Sequence, residues 1–137
     1  MQDIPKQAFV ELAAVYARID EALALFAHHC VLCGNCCDFA DIGHMLYVTD
    51  LEAAWMLESS VKPLAHQSRD GKCPFQHLRR CAIREHRAMG CRIYCCDRAY
   101  RDERHEIYER FLKQVRDIEA RYRLEHSYQA ITQIVTV

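Results

Sequence analysis

Cys30-Val31-Leu32-Cys33-Gly34-Asn35-Cys36-Cys37 places four thiols within eight residues, in the spacing C-x2-C-x2-C-C. Two intervening residues let a backbone curl so that neighbouring thiolates converge on one metal ion or cluster. Gly34 and Asn35 tolerate positive φ, so the curl costs little strain. A second group of thiols follows: Cys73, Cys81, Cys91, Cys95 and Cys96. The expectation that organises the chain is a metal site built from both groups. Its candidate ligands are Cys30, Cys33, Cys36, Cys37, Cys73, Cys81, Cys91 and Cys95.

The chain has nine cysteines, and in a reducing compartment such thiols serve as ligands more often than as disulfide partners. The odd number also argues against a closed disulfide framework. A disulfide scaffold and inert buried thiols are the alternatives. A four-coordinate ion uses four thiols, so the surplus points to a cluster, two ions, or one site plus structural cysteines. Adjacent side chains such as those of Cys36 and Cys37 diverge in most backbone conformations, so one of the pair faces away from the first metal. Cys30, Cys33 and Cys36 with a distant fourth ligand resemble the way small ferredoxins hold a [4Fe-4S] cluster. Cys37 departs from that pattern, which has three spacers before its last cysteine. Zinc ribbons pair two C-x2-C knuckles, and here only the first group supplies that spacing. An iron–sulfur cluster and a zinc or iron ion both stay open, while thiolate softness excludes Mg²⁺ and Ca²⁺ as main occupants.

Outward from the first group, residues 5–29 read as a helix. Phe9, Leu12, Tyr16, Ile19, Leu23 and Phe26 recur at alternating steps of three and four, and the next step lands on Cys30. Beyond the second group, residues 97–125 read the same way, with Arg104, Tyr108, Phe111, Val115, Ile118 and Tyr122 as the stripe. The opposite face carries charges of mixed sign, as solvated helix faces do. One helix runs into the cysteines and the other runs out of them. The expected fold is therefore mainly α: two long antiparallel helices flanking a compact, loop-rich cysteine head. It is one domain, with residues 1–29 as the N-terminal helix, 30–96 as the cysteine module, 97–126 as the C-terminal helix and 127–137 as a tail. Alternatively, either stripe serves a partner chain and seams a homodimer.

Inside the module, Tyr47-Val48 suggests a very short strand. Thr49-Asp50-Leu51-Glu52 reads as a capping box opening a helix over residues 50–59. Trp55, the only tryptophan, is expected in the core beside the cluster. Cys73 to Ile83 suggests a hairpin-like excursion, and residues 85–89 one helical turn ended by Gly90. Arg79, Arg80, Arg84, Arg87 and Arg92 crowd the second thiol group, and Arg92 is the expected hydrogen-bond donor to sulfur. Read as a nucleic-acid patch, these arginines lack the interleaved stacking aromatics such surfaces use. His77 and His86 are further candidate ligands, with His28 and His29 behind them.

A formal charge of −1 advertises neither nucleic acid nor an acidic membrane surface. The first residues lack a signal-peptide pattern and no apolar run approaches membrane-spanning length, so a cytoplasmic protein is expected. Phosphate-binding loops, H-E-x-x-H and G-x-S-x-G do not occur, so any catalysis would run through the metal. An unidentified redox or protein partner completes the expectation.

Cys30-x2-Cys33-x2-Cys36-Cys37, then Asp70-Gly71-Lys72-Cys73-Pro74-Phe75, Cys81-Ala82-Ile83, Arg87 and Cys91-Arg92-Ile93-Tyr94, resembles the YkgJ-type cysteine cluster family. That family is described as a zinc- or iron-chelating CxxCxxCC domain. The likeness covers residues 30–96 and implies metal chelation through Cys30, Cys33, Cys36, Cys37, Cys73, Cys81 and Cys91. Cys95 and Cys96 are additional to that pattern. Ile83-Arg84 and Arg87-Ala88 depart from the Ile-Tyr and Arg-Pro common in the family, which alters the expected turn geometry near Arg87.

Overall fold

Pro5 opens the first helix, where its fixed φ suits the helical start and its missing N–H is no loss. The computed structural model describes residues 3–25, 45–94 and 100–134. Cys30, Cys33, Cys36, Cys37, Cys95 and Cys96 lie outside these residues, as do Phe26, His28 and His29. The described part is mainly helical. Helix α1 spans Lys6–Leu23 and buries Ala8, Phe9, Leu12, Val15, Tyr16, Ile19 and Leu23. It ends six residues before the predicted boundary at 29: Ala24 caps it through Ala22 and Asp20, and Leu25 is 84% exposed.

After α1 come β1 (Tyr47–Thr49), α2 (Asp50–Leu57), α3 (Ala65–Arg69), β2 (Gln76–His77), β3 (Arg80–Cys81), a 3-10 turn (Arg84–His86), α4 (Met89–Ile93), α5 (Arg101–Arg121), β4 (Tyr128–Ala130) and a 3-10 turn (Ile131–Gln133). Helix α5 buries Arg104, Ile107, Phe111, Val115 and Ile118. Ile107 therefore takes the inner place assigned to Tyr108, whose ring is only half-buried. Against α1, Glu11 meets Arg121 and Tyr122 while Arg18 donates to Gln114 at 2.8 Å. Partner positions fall along one helix as they rise along the other. The apolar stripes of both helices are buried together with Leu51, Met89 and Ile93 as a first core.

A second core joins Val48, Ala53, Met56, Cys73, Phe75, Ile83, Ala88, Ile131 and Ile134. Strand β1 pairs antiparallel with β4, Tyr47 opposite Ala130 and Thr49 opposite Tyr128. The segment after α5 thus folds back and seals this core with two isoleucines. Strands β2 and β3 pair as a hairpin, Gln76 opposite Cys81. The predicted single turn ended by Gly90 is wrong. Residues 84–86 form the 3-10 turn, and Gly90 lies inside α4, where a Cβ would come within 2.6 Å of the Leu46 side chain. Close approach, rather than a positive φ, requires that glycine.

Glu52 ties the two cores. The expected capping box is present, with Glu52 N–H donating to Thr49 Oγ1 at 3.1 Å and Thr49 N–H to Glu52 Oε1 at 3.3 Å. The same carboxylate is 2% exposed and accepts Tyr16 Oη–H at 2.8 Å and Met89 N–H at 2.6 Å. Burial raises the Tyr16 hydroxyl pKa well above its ordinary value, and the Glu52 charge adds to the rise. Among the described residues no helix is long and apolar enough to cross a membrane.

Candidate metal centre

Three of the expected ligands lie in the described part, and each stands on a different element. Cys73 follows the Gly71 turn, where φ is 76°, and its carbonyl accepts Gln76 N–H at 3.1 Å and Gln67 Nε2–H at 3.4 Å. Its side chain is buried within the second core. Cys81 stands on β3 and Cys91 on α4, both half-buried and packed against that core. The structure thus gathers residues from 73, 81 and 91 around one apolar cluster. No disulfide joins Cys73, Cys81 and Cys91. Among the described residues, no three His, Cys, Asp or Glu side chains converge closely enough to hold a metal ion.

Among the described residues, the expected sulfur donor Arg92 bonds to oxygen. Its Nη1 pairs with Asp20 at 2.9 Å, Nη2 donates to Glu85 O at 2.6 Å and Nε to Arg87 O at 2.9 Å. The guanidinium lies 4.4 Å from the centre of the Tyr16 ring. Adjacency to Cys91 does not bring its guanidinium to that sulfur, because successive helical residues point about 100° apart. Among the described residues, Arg87 is a cation close enough to Cys81 and Cys91 for their charge to act on it. Burial lowers its pKa, as do the charges of Arg84 and Arg92, while Cys91 and Cys81 raise it. Its Nε donates to Arg84 O at 2.8 Å.

Whether Trp55 neighbours the first thiol group lies outside the described residues. Trp55 is half-buried at the edge of the first core, stacked on His86 at 4.4 Å and tilted against Phe9 at 5.7 Å. That stack engages the His86 ring. His77 differs: its Nε2 is buried and has no hydrogen-bond partner among the described residues. His77 neighbours β3 through the hairpin register, opposite Arg80. A buried imidazole nitrogen without a partner is costly unless something coordinates or bonds it. Sulfur and imidazole are the donor types zinc and iron take, although no three of them converge among the described residues. Glu52 was legible as a helix cap, but nothing in its spacing signalled the bonds to Tyr16 and Met89.

No family model matches the chain, and no curated protein and no solved structure matches it.

Proposed function

We infer that this is a metal-binding protein in which clustered cysteines hold an iron–sulfur cluster or a zinc or iron ion, serving electron transfer or metal handling. The antiparallel pair α1/α5 would carry this head, and the chain would belong to the YkgJ-type family on the strength of its cysteine order. What carries the reading is the C-x2-C-x2-C-C run together with Cys73, Cys81 and Cys91 around one core. The unpartnered His77 Nε2 supports it by offering an additional donor. Cys30, Cys33, Cys36, Cys37, Cys73, Cys81, Cys91 and Cys95 would hold the metal, and Arg87 would offset thiolate charge. A bound cluster would supply one-electron transfer, whereas zinc would supply a structural cross-link.

Anaerobic purification with elemental analysis and a visible spectrum tests the proposal. Broad absorption bleached by reduction, with stoichiometric iron and sulfide, is the expected result. Colourless protein with stoichiometric zinc keeps metal binding and removes electron transfer. Metal-free protein that melts as a stable fold overturns the reading.

A further inference from the structure

Between α1 and the 3-10 turn at Arg84–His86 runs a groove of about 480 Å³, within the size range of small-molecule sites. Ala13 and Ala17, one helical turn apart, form a low shelf on the α1 side because neither carries more than a methyl group. Trp55 lines the groove across from them, its ring fixed flat on His86. Tyr16 and Arg92 line the same space, and Arg92 is committed to Asp20 and two backbone carbonyls. This leaves Arg84 and Arg87 as two cations against the single carboxylate of Glu85. Arg84 is exposed and Arg87 half-buried, and their like charges on one groove repel each other. An oxyanion between Arg84 and Arg87 would relieve that repulsion, and the guanidinium fork suits carboxylate or phosphate. The adjoining surface is aromatic and methyl, suited to the body of an organic molecule rather than to a hydrated inorganic ion.

The geometry points to a binding site for a small organic anion, with an aromatic or apolar body between Trp55 and the Ala13–Ala17 shelf and its carboxylate or phosphate on Arg84 and Arg87. None of the described cysteines lines this groove; Arg87 is shared with the thiol reading, and the two variants below leave it untouched. The site is tested on the protein as purified. Benzoate and phenyl phosphate are titrated separately at constant ionic strength while the indole N–H resonance of Trp55, the only tryptophan, is followed. At least one of the two should shift it saturably, with half-saturation below about 1 mM. Arg84→Gln removes a cation and Ala17→Leu fills the shelf. Both side chains are exposed, so the remaining amide spectrum should stay native while affinity falls about tenfold or more. A response no greater than that to sodium chloride overturns the site. So does inorganic phosphate binding as tightly as phenyl phosphate, or a response that both variants leave intact.

Discussion

The Glu52 carboxylate receives hydrogen bonds from Thr49, Tyr16 and Met89, which belong to three separate segments. Removing it strands a buried hydroxyl and a buried amide, each worth about 1–3 kcal/mol. Glu52→Ala should therefore lower unfolding free energy by about 3 kcal/mol, and Glu52→Gln by less, in urea denaturation. Tyr16 sets a pH dependence. Its folded pKa lies above the unfolded value of about 10. The contribution of its neutral hydroxyl is thus complete below about pH 10 and declines as pH rises above it. Denaturation followed from about pH 8 to about pH 11 should show falling stability, with a shallower fall in Tyr16→Phe. At this scale the sequence was least legible. Charge and adjacency gave no sign that Arg92 would meet Tyr16 and Asp20, which are distant in the chain.

The β2–β3 hairpin turns through Leu78 and Arg79, with φ of 51° and 65°. Positive φ at both central residues is the geometry Asn-Gly prefers, and an L-residue with a Cβ pays about 1–2 kcal/mol there. Leu78 is 97% exposed, so it gains no packing in return. Replacing the pair with Leu78→Asn and Arg79→Gly should stabilise the protein by about 1 kcal/mol, measured as a raised melting temperature. Periodicity found the helices well. Phe9, Leu12, Tyr16, Ile19 and Leu23 are all buried as their three-and-four spacing required, and Thr49 with Glu52 marked the start of α2. Boundaries were less readable, because where α1 stops depends on when its last apolar residue, Leu23, finds cover. Strand β4 carried no clear signal, since Tyr128–Ala130 is short and gains its pairing only from β1.

Across the whole molecule, the sequence disclosed a helical chain with thiols between its long helices, but not the division into two cores. That division arises because residues such as Phe75 and Ile131, which no local pattern links, are buried in the same cluster. If metal joins the early and late thiols, loading should be coupled to folding, on the order of 10 kcal/mol for a structural zinc. Cys33→Ser, Cys36→Ser and Cys81→Ser should each reduce bound metal and lower the melting temperature. Unchanged melting of metal-free protein would count against the coupling. Ile134→Ala removes a side chain that is 1% exposed and should cost about 2–5 kcal/mol by denaturant titration.

The pairing of Tyr47–Thr49 with Tyr128–Ala130 also sets an order of events during synthesis. A ribosome must translate past Ile134 before the second core around Cys73 can close, because Ile131 and Ile134 complete it. Cys73 has been made well before then, so on a nascent polypeptide its sulfur would stay uncovered until β4 and the turn after it arrive.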